Sequence, residues 1–112
     1  MMKRNATADP TSELFKRFQD KETCNEMMEM LSLLSNPIRF RTLCLLTSGE
    51  FCVQDIVRLV GGKSSNISQQ LKMLTLAGYV SSRRDGKQIF YQLEDEKIRS
   101  LVEFLHGLAE TR

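Results

Sequence analysis

Tryptophan is absent from these 112 residues, proline occurs twice and histidine once. No apolar run approaches the ~18 residues of a membrane-spanning helix, so a membrane is not an expected partner. The three cysteines, Cys24, Cys44 and Cys52, are an odd number without metal-finger spacing. A disulfide framework is therefore not expected, and reduced thiols fit better. Catalysis has little to work with: a lone His106 without an acid–base neighbour in sequence, no glycine-rich phosphate loop and no paired metal ligands. Nor does Met1 to Asp9 read as a secretory leader, because no apolar stretch follows Lys3 and Arg4. The expectation is a cytoplasmic protein that is not an enzyme.

Charge is present but unevenly placed. Residues 37–92 carry 8 Lys and Arg against 3 Asp and Glu, a balance of +5. Residues 1–36 have 5 against 6, or −1, and residues 93–112 have 3 against 5, or −2. A basic centre between mildly acidic ends suits a chain whose middle faces a polyanion.

Hydrophobic spacing organises the rest. Residues 1–10 read as a flexible N-terminus and 11–112 as one domain. Thr11 or Ser12 can cap a helix, and Leu14, Phe15 and Phe18, then Met27, Met28, Met30, Leu31 and Leu34, predict one long or broken helix over about 12–35. Asn36-Pro37 starts a second, to about residue 47. Val53, Ile56, Val57 and Val60 mark a short third helix, closed by Gly61-Gly62. Ile67, Leu71 and Leu74, at i, i+4 and i+7, predict a fourth over about 64–77. The period then changes to strand-like runs at 79–84 and 87–93 flanking Asp85-Gly86, a strong hairpin signal. Ile98, Leu101, Val102, Leu105 and Leu108 predict a last helix over about 95–109. The expected fold is mainly α with a small β-hairpin, a winged helix–turn–helix in the order α-α-α-α-β-β-α.

In the fourth helix Ser64, Ser65, Asn66, Ser68, Gln69 and Lys72 are left for solvent or a ligand. Small hydroxyls and amides near a helix N-terminus suit the major groove, because they admit close approach and offer donors and acceptors to base edges. A polar helix face is by itself more often just solvated. The neighbouring hairpin, with Arg83, Arg84 and Lys87 at its tip, shifts the balance towards double-stranded DNA.

Four ordered motifs then match a known family. Leu34-Ser35-Asn36-Pro37-Ile38-Arg39, Glu50-Phe51-Cys52-Val53-Gln54-Asp55-Ile56, Ser65-Asn66-Ile67-Ser68-Gln69-Gln70-Leu71 through Gly78-Tyr79-Val80, and Arg84-Asp85-Gly86-Lys87 with Phe90-Tyr91-Gln92-Leu93 resemble the ArsR/SmtB repressors over about residues 30–105. Gln70 departs from that pattern, standing where the family usually has His, so altered contacts are expected there. The resemblance implies a homodimer paired through the first and last helices (11–35 and 95–110), an operator as partner, and release by a thiophilic metal, a metalloid or an oxidant.

Each sensor site known in the family is incomplete here. Cys52 stands at the first position of a Cys-Val-Cys pair whose second position is Gln54. Cys44 is similar to a redox-active cysteine whose partner is missing, with Glu110 near that place. A zinc pattern on the last helix keeps Asp95 but has Lys97 and Leu108 where His is required. Cys24, Cys44 and Cys52 are the candidate sensor thiols, although Cys44, in an apolar run, and Cys52 read more readily as packing. Cys24 of one subunit beside Cys52 of the other would make a site for a trivalent ion. A constitutive repressor without an inducer, or a winged-helix module that binds protein, are the alternatives.

Overall fold

The computed structural model describes residues 12–111. The expected flexible segment 1–10 lies outside the described residues. The described residues divide into two units after Ser32.

In the first unit, Ser12 Oγ accepts from Phe15 N and starts α1 (Glu13–Gln19). Asp20 interrupts the predicted helix and begins the next, α2 (Lys21–Leu34). Its Oδ2 accepts from Thr23 N (3.0 Å) and Thr23 Oγ1 (2.6 Å), which holds the carboxyl below its ordinary pKa. The break follows from chemistry: an Asx side chain satisfies N–H groups that a continuous helix would have paired itself. No residue of α1 is buried.

The second unit carries α3 (Pro37–Leu46), β1 (Phe51–Cys52), α4 (Val53–Val60), α5 (Ser64–Leu76), β2 (Val80–Asp85), β3 (Gln88–Leu93) and α6 (Glu96–Glu110). Asn36 Oδ1 caps α3 through Arg39 N, with Pro37 at the first helical position, where its missing N–H costs nothing. Asp95 caps α6 through Lys97 N and Ile98 N. Arg99 Nη1 donates to Thr47 O at 2.9 Å, fastening the start of α6 to the end of α3.

The strands form one antiparallel sheet in the order β1-β3-β2. Sequence reading missed β1, because two residues are too short to show a strand period. It also placed the hairpin turn one residue early. Asp85 is still in the ladder, paired with Gln88, and the turn is Gly86-Lys87. Gly86 takes φ +64°, and no other residue type among those described has positive φ. Glycine at the first central position is the pattern of a type II′ turn, so the fold needs Gly there and sets Lys87 at the tip.

Leu43, Leu46, Ile56, Ile67, Leu71, Leu74, Val80, Leu93, Ile98 and Val102 form the core. Buried Thr42 turns its hydroxyl back to Ile38 O at 2.8 Å, and no buried side-chain N or O among the described residues lacks a partner. No helix among the described residues is long and apolar enough to cross a membrane.

Candidate nucleic-acid interface

Helix α5 is split by face as its spacing predicts. Ile67, Leu71 and Leu74 are completely buried, while Ser64, Ser65, Asn66, Ser68, Gln69 and Lys72 are exposed. Three fully buried aliphatics fix both the depth and the rotation of the helix, so the polar positions face outward by necessity. Its N-cap residue, Lys63, makes no side-chain capping bond, which leaves the first-turn N–H groups for an outside acceptor. The other end is closed tightly. Gly78 N bonds Thr75 O, Tyr79 N bonds Leu74 O, and Gly78 has φ +85°, a Schellman arrangement. That stop delivers the chain into β2 within four residues of the last turn of α5.

The three hairpin cations have different surroundings. Arg83 Nε and Nη2 grip Glu50 Oε2 and Oε1 at 2.8 and 3.0 Å, a two-pronged pair. The guanidinium also lies 5.0 Å from the Phe90 ring centre, its cross-strand neighbour. Hydrogen bonding from Arg83 holds the Glu50 carboxyl below its usual pKa. Arg84 and Lys87 are exposed, and among the described residues neither has an ion-pair partner. Of the three expected DNA contacts, Arg83 is paired with Glu50 while its side chain stays half exposed, and Arg84 and Lys87 are open to solvent.

Gln70 is half-buried, and its Oε1 accepts from Arg39 Nη1 at 3.2 Å. Arg39 Nε in turn donates to Leu33 O at 2.6 Å. No local pattern announced this bond, which joins residues 31 apart in sequence.

The cysteines are not gathered. Cys24 is exposed on α2. Cys52 is buried at the start of α4, with Sγ 3.4 Å from Asp55 Oδ2. Cys44 is half-buried, and desolvation pushes its thiol pKa up. It lines a cleft of about 340 Å³ with Thr47, Val102, Glu103 and His106. His106 Nδ1 lies 3.0 Å from Glu110 Oε1. No group of three or more His, Cys, Asp or Glu side chains among the described residues is placed to hold a metal ion.

A short helix, a tight connection, a helix with a sealed apolar side and a bare polar side, and an antiparallel hairpin define a winged helix–turn–helix transcriptional regulator. The chain belongs to the ArsR family of bacterial regulatory proteins, whose family pattern matches residues 36–82. It is 36% identical over 104 residues to a biofilm growth-associated repressor of Xylella fastidiosa, covering 93% of this chain and 91% of that one. The crystal structure of the transcriptional repressor BigR from Xylella fastidiosa superposes with a TM-score of 0.75 at 37% identity, over 82% of this chain and 94% of that chain. The antimony-specific transcriptional repressor AntR superposes with a TM-score of 0.74 at 28% identity, over 92% and 96%.

Proposed function

We propose that this chain is a homodimeric repressor, acting in the cytoplasm without catalysis, that binds operator DNA with α5 in the major groove and the β2–β3 tip against the backbone. The observation that carries the reading is the uncovered polar face of α5, from Ser64 to Lys72, on a helix whose other face is locked into the core. Serines 64, 65 and 68 admit the backbone of DNA closely, Asn66 and Gln69 address base edges, and Lys72, Arg84 and Lys87 neutralise phosphates. Arg83 serves this arrangement by bracing the wing through Glu50.

Dimerisation is supported by the exposed apolar residues of the terminal helices: Leu14, Phe15, Phe18, Met28 and Leu31 near one end, Phe104, Leu105 and Leu108 near the other. One short recognition helix reads only a few base pairs, whereas two read half-sites about one helical turn apart.

Release by a thiol-reactive signal is the regulation this chain's residues favour. Cys24 is open to solvent and Cys44 borders a cleft, whereas among the described residues no group of three or more His, Cys, Asp or Glu is gathered to hold a metal. Gel shifts on the chain's own promoter region, with and without arsenite, cadmium and persulfide, test both halves. Retarded duplex that is freed by one of these agents, and not freed in the cysteine variant of the responding site, is the expected result. Retention with every agent would leave a repressor that no thiol signal gates. No retarded duplex at all would favour a winged-helix module that binds protein.

A further inference from the structure

We infer, on the basis of the DNA-binding reading above, that Gln70 is a positioning residue: it turns the amino end of Asn66 outward, so that α5 selects guanine at the base facing Asn66. Arg39, half-buried on α3, donates Nε to Leu33 O at 2.6 Å and Nη1 to Gln70 Oε1 at 3.2 Å. A guanidinium has only donors, so Gln70 must turn its oxygen towards it and its amino group away. That amino group, Nε2, meets Asn66 Oδ1 at 3.5 Å, one helical turn earlier. The contact is long for a hydrogen bond, so it steers orientation more than it stabilises. Asn66 Nδ2 is then left at an exposed residue in the first turn of α5.

The three groups have one consistent arrangement. Flipping Asn66 alone sets its amino group against that of Gln70, donor to donor. Flipping both sets the Gln70 amino group against the guanidinium. An asparagine free to turn pairs with adenine through one donor and one acceptor at N7 and N6. Asn66 has its acceptor turned to Gln70 and offers donors, which suit the adjacent O6 and N7 acceptors of guanine.

The test is selection of binding sites from a randomised duplex library by the full chain. The variants are Gln70→Leu and Asn66→Asp, and thermal melts check each fold. Wild type is expected to prefer guanine over adenine by about tenfold at one position of each half-site. Gln70→Leu should cut that preference to within about twofold there while keeping salt-dependent binding, an outcome that loss of fold alone does not produce. Asn66→Asp, at an exposed position, replaces the donors by an acceptor and should move the selected base towards cytosine. Selection of adenine by wild type, or a guanine preference that either folded variant leaves intact, overturns the proposal. Should Gln70→Leu fail to fold, Gln70→Glu, which keeps an acceptor for Arg39 but loses the donor to Asn66, takes its place with the same expected loss of preference. If wild type binds no duplex in a salt-dependent way, the regulator reading itself fails and takes this proposal with it.

Discussion

Helix α5 and the α1–α2 segment both carry apolar residues at helical spacing, but they dispose of them in opposite ways. In α5 Ile67, Leu71 and Leu74 are entirely buried and the polar residues are uncovered, with Met73 and Leu76 left exposed towards the far end. In α1 and the body of α2 the stripe itself is uncovered, with Phe18 at 56% and Leu31 at 62% exposure. The first pattern is that of an element anchored in its own chain by buried aliphatics, with a polar face left uncovered. The second is that of an element still missing a covering surface, since contiguous apolar patches on soluble proteins mark interaction sites. Under the proposed function, reading and pairing fall to different parts of the sequence, so breaking one should leave the other.

The largest expected effect is on the anchored side. Leu71→Ala should destabilise the fold by about 2–5 kcal/mol, the range for a buried large-to-small change, read as a fall in the denaturation midpoint. Leu31→Glu should do the opposite kind of damage. It places a charge in the uncovered stripe, so sedimentation should show monomer at concentrations where wild type pairs, by at least a hundredfold in dissociation constant, or about 2.7 kcal/mol. Its melting curve at high dilution should match wild type. If Leu31→Glu remains a dimer, the division between the two regions is drawn in the wrong place.

The smallest effect concerns the brace of the wing. Glu50 has its folded-state pKa lowered by Arg83, so its contribution to stability is present above the unfolded carboxylate value, roughly 4.3, and is lost as pH falls through the folded value. Wild type should therefore lose stability faster than Glu50→Gln on acidification below about pH 4.5. The pair is solvent-exposed, so the difference should be small and should shrink with added salt. Identical acid profiles would show that the Arg83–Glu50 pair does not persist in solution.

What the sequence made legible follows from range. The division of α5 into faces, the capping by Asn36 and the existence of a hairpin all rest on neighbours within a few residues, and spacing or turn chemistry reveals such things directly. The break at Asp20 was open to the same reading, since an Asx residue three before a threonine can cap. The role of Arg83 was hidden because its partner, Glu50, lies 33 residues away, and that of Gln70 because Arg39 lies 31 away. Such bonds depend on β1 lying in the sheet and α3 lying near α5, and no local period encodes either arrangement. The turn at Gly86-Lys87 was misplaced by one residue because Asp-Gly and Gly-Lys both supply the glycine that a tight hairpin needs; only the Asp85–Gln88 ladder pair separates them.

The central claim is that exposed polar and cationic groups of α5 and the hairpin tip engage a duplex. The most direct measurement is the salt dependence of duplex affinity for wild type and for the double variant Arg84→Ala, Lys87→Ala. Wild-type affinity should fall steeply with added salt, and the slope in the variant should be shallower by about 0.9 for each phosphate contact removed, across all duplexes alike. Affinity that ignores salt, or a slope unchanged in the variant, would contradict that claim.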